Sequence, residues 1–251
     1  MSDADLAGYQ QWVRRLLTPA AKELAWQPQP GESDETKSLR ARVLYTLGYA
    51  GQDPEVIASA RRLTEKALLD PSSIDSTVAF TAFSLAAQNG DTPLYDKLQA
   101  RLQASGTSLE NYYLYFHTLS KFRNPKLLER TLEYAISPAV RSQDTLGMIA
   151  AVMKNPAGGK LAWQFVQSHW AEIDKVGGGF TSGEVVGATN VYCESSMHDQ
   201  VQGFFTEHKV PTAERTLKQS LESIHTCADL KSRQTPELSQ WLQKRGAASG
   251  K

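Results

Sequence analysis

The sequence carries no excess charge of either sign. Its 251 residues include 27 lysines and arginines and 27 aspartates and glutamates, so the formal net charge at pH 7 is zero. Positive charge is not concentrated locally either, since Arg14-Arg15 and Arg61-Arg62 are only pairs. Proteins that bind nucleic acid or anionic membranes by electrostatic attraction carry a basic patch or stripe. The composition therefore predicts no nucleic-acid partner and no membrane partner.

Cysteines and long apolar runs are scarce. The two cysteines, Cys193 and Cys227, are too few for a disulfide framework, and we interpret them as partly buried free thiols. No stretch approaches the roughly 20 apolar residues that span a bilayer. The N-terminal MSDADLAGYQQW is polar and lacks the apolar core of a signal peptide.

Motifs for metal binding and catalysis are also missing. The five histidines form no H-E-x-x-H and no pair four residues apart. His225 and Cys227 are separated by one residue, which places their side chains about 200° apart around a helix. No G-x-S-x-G, phosphate-binding loop or G-x-G-x-x-G occurs. We therefore predict no metal site and no catalytic residue in this chain, which alone would not be an enzyme.

Helical periodicity is what the sequence does show. Apolar residues recur at spacings of three and four, which is typical of amphipathic helices; one such stripe comprises Val56, Ile57, Ala60, Leu63, Ala67 and Leu68. Helix start signals accompany the stripes at Asp53-Pro54, Asn124-Pro125 and Asn155-Pro156. We expect about a dozen to fifteen helices of about 10–18 residues, none of them long.

The pattern predicts an all-α fold. Short connectors make neighbouring helices antiparallel, and many such pairs in series favour an α-solenoid, a superhelix of the HEAT or armadillo kind. A compact irregular helical bundle is the alternative. With no long linker, we predict a single helical domain over 1–251, ordered over about 6–242, with a frayed tail at 246–251.

Several stretches resemble one known family. They include FFTEHKVPTAERTLKQSLESI at 204–224, NPAGGKLAWQFVQSHW at 155–170 and SPAVRSQD at 137–144, together with 17–31, 39–51 and 122–136. These stretches resemble, in order, the puromycin-sensitive type of aminopeptidase, the zinc gluzincins of peptidase family M1, and the resemblance covers about 6–242.

The resemblance implies a specific role. In that family this region is a C-terminal, HEAT-like helical domain that covers the active site of a separate catalytic domain. That domain carries zinc and removes N-terminal residues from peptides. Its zinc motif and exopeptidase motif do not occur here. We therefore expect a non-catalytic cap, with the catalytic domain of the same polypeptide and a peptide substrate as partners and with zinc held only by the parent. The native N-terminus would be missing and the compartment unknown, with the cytoplasm favoured.

Four residues are candidates for substrate binding or interdomain contact. Arg215 falls in the first turn of a helix that we expect to open at Thr212, after another ends near His208. A cation there opposes the helix dipole at a cost of roughly 0.3–1 kcal/mol. It would meet a carboxylate of the substrate or of the missing domain, or else a nearby Glu or Asp of this chain.

The other three candidates lie at the ends of one predicted helix. Arg141 and Gln143 follow a proline-containing turn, where Ser142 or Asp144 would alternatively cap the next helix. Lys154, before Asn155-Pro156, would hold a peptide C-terminus, or would simply complement a helix dipole.

Two other classes of protein fit the same periodicity. A free-standing α-solenoid scaffold would expose a large apolar patch to a protein partner. A helical enzyme acting on small molecules would need convergent polar groups in a pocket, and no such cluster is visible in the sequence.

Overall fold

The structure, a computed structural model, describes residues 2–104, 106–177 and 182–248. Within these ranges, all regular secondary structure consists of thirteen α-helices and three short 3-10 helices. The prediction of an all-α fold is confirmed.

The chain divides into two compact units, residues 1–121 with 235–251, and residues 122–234. The first unit contains six helices, which are α1 Asp3–Leu24, α2 Asp34–Tyr49, α3 Pro54–Leu69, α4 Ser76–Gln88, α5 Thr92–Gln103 and α6 Leu109–Leu119. The second unit contains α7 Pro125–Ala135, α8 Ser142–Met153, α9 Gly159–Ser168, α10 Trp170–Gly177, α11 Ser182–Ala188 and α12 Ser195–Glu207. The last helix, α13 Glu214–Ala248, contributes residues to both units.

Helices that are close in sequence pack together inside each unit. In the first unit α1 packs on α2, α2 and α3 pack on α4, and α4 and α5 pack on α6. In the second unit α7, α9, α10 and α11 all pack on α8. Neighbour-to-neighbour packing is what a solenoid requires. The solenoid and the single domain over 1–251 stay predictions.

Two helices exceed the predicted length. Helix α1 has 22 residues and α13 has 35, so the expectation that no helix is long is wrong. The reason in α13 is that no glycine interrupts the chain between Glu214 and Arg245, where leucine, lysine, glutamine and glutamate favour a helix. The helix also continues to Ala248, into the tail predicted to fray, and residues 249–251 lie outside the described ranges.

Local capping explains several helix starts. The Asp53 carboxylate accepts hydrogen bonds from the backbone N–H groups of Glu55 at 3.1 Å and Val56 at 3.0 Å, and α3 begins at Pro54. The Asn124 side-chain oxygen accepts from the N–H of Lys126 at 3.0 Å, and α7 begins at Pro125. These side chains satisfy N–H groups that the helix itself leaves without partners, as predicted.

The first unit buries a full positive charge. The Arg40 side chain, with no exposed area, donates from Nε to the Leu24 carbonyl at 2.8 Å and from Nη2 to the Glu32 carboxylate. The hydrogen bond from Arg40 is the main cause that lowers the pKa of Glu32 below its ordinary value of 4.5, although desolvation opposes it. This arginine therefore joins the end of α1, the following loop and α2.

The two ends of the chain meet in the first unit. The Ser239 hydroxyl of α13 donates to the Asp5 carboxylate of α1 at 2.7 Å. The rings of Trp12 and Trp241 meet edge to face with centroids 5.5 Å apart, and Leu242 is buried. The last part of α13 thus packs on the first helix.

Candidate functional site

A pocket of about 330 Å³ lies in the second unit, between the α8–α9 turn and the segment before α12. Its volume falls within the range of about 300–1,000 Å³ that is usual for ligand sites. One wall comprises Met153, Lys154, Asn155, Pro156, Gly159 and Lys160, and the opposite wall comprises Val191, Tyr192, Cys193, Glu194 and Met197. Of the predicted candidates, the pocket contains Lys154.

Asn155 shapes the first wall in a way that the sequence did not predict. We expected it to start a helix, but α9 begins at Gly159 and Asn155 holds a turn instead. Its side-chain amide donates to the Phe122 carbonyl at 2.7 Å, and its side-chain oxygen accepts from the Ala157 N–H at 2.9 Å. A long-range bond to a buried carbonyl thus fixes the turn, and the predicted helix start is wrong.

The two glycines of this turn are required by close packing. A Cβ atom on Gly158 would lie 2.9 Å from a Leu128 methyl and 3.0 Å from a Val152 methyl. On Gly159 it would lie 2.9 Å from the Met153 carbonyl oxygen. Neither position has room for a side chain, so the wall that carries Lys154 packs directly on α7 and α8.

Tyr192 joins the opposite wall to the first. Its hydroxyl donates to the Gly159 carbonyl at 2.9 Å, and the buried ring lies edge-on to Trp163. Burial raises the pKa of Tyr192 well above its ordinary value of 10.0. The phenol therefore remains protonated at physiological pH and acts as a hydrogen-bond donor.

A disulfide ties the same wall to α13. Cys193 is bonded to Cys227, and the two Cα atoms are 5.0 Å apart. The prediction of free thiols is therefore wrong. The pairing escaped sequence analysis because the two cysteines are 34 positions apart, with all of α12 between them, and only the tertiary fold brings them within bonding distance.

The pocket carries two lysines in different electrostatic situations. Lys160 pairs with Glu194, with 3.0 Å between Nζ and Oε2, and this hydrogen bond is the main cause that lowers the pKa of Glu194. Lys154, exposed at the C-terminal end of α8, makes no ion pair with any described residue. One of the two ammonium groups therefore remains available for an anionic ligand.

The pocket suits a carboxylate attached to an apolar group. Lys154 offers a point charge, while Met153, Met197 and Val191 offer apolar contact. The pocket holds no arrangement of a nucleophile with a base, and within the described ranges no group of three or more His, Cys, Asp or Glu could hold a metal ion.

Arg215 lies apart from this pocket. Helix α12 ends at Glu207 as predicted, a 3-10 turn occupies Pro211–Ala213, and α13 begins at Glu214. Arg215 is exposed in the first turn of α13 and forms no ion pair within the part of the chain that the structure describes. A salt bridge to a nearby Glu or Asp, the simpler explanation, is therefore not observed among those residues.

Arg141 and Gln143 lie at the opposite end of α8 from Lys154. Both are exposed, and a helix of 12 residues separates the two ends by about 18 Å. Arg141 is itself the N-cap residue, without a side-chain capping bond, and Ser142 is already helical. The suggestion that Ser142 or Asp144 caps α8 is wrong, because the helix starts one residue earlier than a cap at Ser142 would require and three residues earlier than a cap at Asp144 would require.

Sequence analysis missed Lys160, Tyr192 and Glu194. Lys160 lies within the stretch that carries the family resemblance, but nothing local marks it as part of a pocket. Its partner Glu194 lies 34 positions further along the chain, and Tyr192 reaches Gly159 across a separation of 33. Contacts at such separations leave no periodic signal in a single sequence.

No described helix combines the length and the apolar character needed to cross a membrane. This finding concerns residues 2–104, 106–177 and 182–248 only.

Comparison with known proteins gives one family match and several relatives. The family model described as "ERAP1-like C-terminal domain" matches residues 1–226. "Aminopeptidase M1" of Arabidopsis thaliana is 29% identical over 232 residues, which cover 89% of this chain and 26% of that protein. "Endoplasmic reticulum aminopeptidase 1" of Mus musculus is 24% identical over 242 residues, which cover 94% of this chain and 26% of that protein.

A third relative has the same coverage. "Aminopeptidase 2, mitochondrial" of Saccharomyces cerevisiae is 22% identical over 239 residues, 94% of this chain and 25% of its own length. The chain thus spans about a quarter of the curated relatives that it matches.

Proposed function

Because the chain belongs to the ERAP1-like C-terminal domain family of M1 aminopeptidases, we propose that it is the non-catalytic cap of a zinc-dependent aminopeptidase. The parent would remove N-terminal residues from peptides, and this chain would cover the active site and line the cavity that holds the peptide. The support is the family match over most of the chain, together with a pocket that has binding chemistry but no catalytic group.

The zinc of such a peptidase does not fit this chain. No three or more zinc-binding side chains cluster in the described ranges. Zinc would be held by the catalytic domain of the same polypeptide, and we assign no chemical step to the residues described here. Their part would be to bind and orient the peptide far from the bond that is cut.

The observation that carries the proposal is Lys154. It lines a pocket that also has apolar side chains in its walls, and its ammonium group has no carboxylate partner among the described residues. A peptide bound by its N-terminus at a distant active site would end in a carboxylate and one last side chain. We propose that the carboxylate pairs with Lys154 and that the side chain contacts Met153 and Met197, while Lys160 stays paired with Glu194.

Lys154→Ala is expected to weaken binding of a peptide with a free C-terminal carboxylate by about twofold to fivefold. The reason is that Lys154 is exposed, and an exposed ion pair contributes up to about 1 kcal/mol. Binding would be measured by fluorescence anisotropy with a labelled, N-acetylated nonapeptide ending in leucine. The same peptide with a C-terminal amide should bind weakly, and with equal affinity, to the unchanged chain and to the Lys154→Ala variant.

Lys126→Ala is the matched control, because Lys126 is an exposed lysine of the same unit outside the pocket. It should bind the carboxylate peptide as the unchanged chain does. Equal affinity of the Lys154 variant and the control would remove Lys154 from the proposed site, and failure of the unchanged chain to prefer the carboxylate would remove the site altogether.

The other candidates are proposed to act at a different place. Arg215, exposed at the start of α13, would meet a carboxylate on the catalytic domain or on the peptide. Arg141 and Gln143, exposed at the start of α8, would contact the same partners. Exposure of these polar groups supports the proposal, since a partner can reach an exposed side chain.

The cap role predicts that the chain alone shows no hydrolysis of a fluorogenic aminoacyl amide, and that mixing it with the catalytic segment of the same polypeptide changes the turnover of that segment. Arg215→Ala should then reduce the effect about twofold to fivefold, the range for an exposed ion pair of up to about 1 kcal/mol. Bound zinc is quantified in the same samples. Lys218→Ala, exposed one turn further along α13, is the control.

Hydrolysis and stoichiometric zinc in the chain alone would refute the cap proposal. No effect of mixing would favour the free-standing scaffold. Unchanged turnover with Arg215→Ala, at unchanged stability, would remove Arg215 from the interdomain contact while leaving the cap itself intact.

A further inference from the structure

The disulfide forms part of the wall of the Lys154 pocket. Cys193 lines the pocket between Tyr192 and Glu194, and its partner Cys227 lies on α13. Both cysteines are partly exposed, so a thiol reductant in solution has access to the bond. Reduction of this disulfide would therefore directly affect residues that line the same pocket as Lys154.

The other described contacts of this wall are noncovalent. The start of α12 has Glu194 as its N-cap residue, without a side-chain capping bond. The Lys160–Glu194 pair has side chains that are 72% and 43% exposed, and such surface pairs contribute little. Tyr192 makes buried contacts, since its hydroxyl donates to the Gly159 carbonyl and its ring lies edge-on to Trp163. The disulfide is thus the strongest link of the segment before α12.

The first wall does not depend on the disulfide. Asn155 anchors it to Phe122, and its glycines pack on Leu128, Val152 and Met153. Loss of the disulfide would therefore loosen only the Tyr192–Glu194 side, leaving Lys154 in place while the apolar contacts opposite it move away. The reduced pocket would keep the positive charge of Lys154 but lose the apolar contacts of the opposite wall.

We propose that this pocket is under thiol control, competent to hold a peptide carboxylate when Cys193 and Cys227 are joined and impaired when they are reduced. The inference rests on the proposed function and names a regulation of the same site. A dithiol supplies the two electrons: one thiolate attacks a sulfur of the disulfide, and the second thiol resolves the mixed disulfide. The products are two cysteine thiols in this chain and a disulfide in the reductant.

The redox state of the surroundings would set the state of the pocket. Disulfides persist in oxidising compartments and are reduced by cytosolic dithiols. The same polypeptide would therefore retain the C-terminal end of its peptide more tightly in an oxidising compartment.

The test uses the whole chain and the labelled, N-acetylated nonapeptide with a free carboxylate. Mass spectrometry first establishes that the untreated chain lacks two hydrogens relative to the chain treated with dithiothreitol. Reduction should then weaken peptide binding at least about fivefold, the lower end of typical coupling between two linked events. The double variant Cys193→Ser with Cys227→Ser should bind as weakly as the reduced chain and should not respond to dithiothreitol.

A second readout follows the wall itself. Reduction should speed amide hydrogen exchange over residues 189–201 while leaving residues 150–158 unchanged, because local opening is confined to one wall. Free thiols in the untreated chain, or equal affinity in both redox states, or equal exchange over 189–201, would each overturn the inference and leave the Lys154 site standing. Absence of carboxylate-dependent binding in the oxidised chain would instead overturn the proposed function, and the regulation with it.

Discussion

Trp163→Ala is expected to lower the free energy of unfolding by about 3–5 kcal/mol, the usual cost of removing a buried tryptophan side chain. Trp163 lies on α9 with 1% of its area exposed. Its ring meets those of Phe204 and Phe205 at centroid distances of 5.3 and 6.0 Å. Alanine would leave a cavity among these rings that close packing prevents the core from filling. Urea unfolding followed by circular dichroism measures the loss.

Two further variants make the test specific. The Trp163 indole N–H has no hydrogen-bond partner among the described residues, so Trp163→Phe should lose only volume and cost about 1–2 kcal/mol. Phe80→Ala removes a ring that is 46% exposed and should cost less than about 1 kcal/mol. If Trp163→Ala cost no more than Phe80→Ala, the aromatic cluster would not be a stabilising core.

Arg40→Ala is expected to destabilise the chain by about 3 kcal/mol or more, because it removes one partner of a buried ion pair. It also leaves the Leu24 carbonyl without its donor. Arg62→Ala is the control, since Arg62 is an exposed arginine of the same unit whose guanidinium, among the described residues, donates to the Ser59 hydroxyl. Thermal unfolding of the two variants under the same conditions gives the comparison.

A double variant that removes the charges of both Arg40 and Glu32 distinguishes the cost of an unpaired carboxylate from the cost of lost packing. Arg40→Met combined with Glu32→Leu should be more stable than Arg40→Ala by at least about 1 kcal/mol, because apolar side chains of similar volume replace a buried pair at little cost. If the double variant were as unstable as Arg40→Ala, packing rather than the stranded carboxylate would explain the loss.

The Arg40 pair also predicts a dependence on pH. Since the folded state lowers the pKa of Glu32 below 4.5, the contribution of this carboxylate is complete above pH 4.5 and disappears as the pH falls through the lowered folded pKa. In Arg40→Ala this part of the acid-induced loss of stability should be smaller. Unfolding curves collected from neutral pH down to pH 3 would show an unchanged acid slope if the pair had no such role.

Features set by neighbouring residues could be predicted from the sequence. Asp53 and Asn124 start helices as expected because each caps N–H groups two or three positions away. Asn155 makes the same bond, from its side-chain oxygen to the N–H two positions away, but no α-helix begins there, and its amide group donates to a carbonyl 33 residues away. A single sequence shows the capping residue but not the distant partner of its amide.

In the candidate site, too, only the feature set by neighbouring residues could be predicted from the sequence. Lys154 could be singled out because it ends a helix before an Asn-Pro pair. The opposite wall could not, since Cys193 becomes part of it through a bond to Cys227 and Glu194 through its pairing with Lys160. The pocket exists only where segments far apart in sequence come together.

The contact between α1 and the end of α13 has a consequence for biosynthesis. Asp5 and Ser239 are 234 residues apart, and a ribosome adding about 5–20 residues per second needs about 10–50 s to cover that distance. Until then the face of α1 around Trp12 has no partner from α13. Helix α1 is thus completed by residues that are synthesised 234 positions later, and until then we expect its uncovered face to bind chaperones.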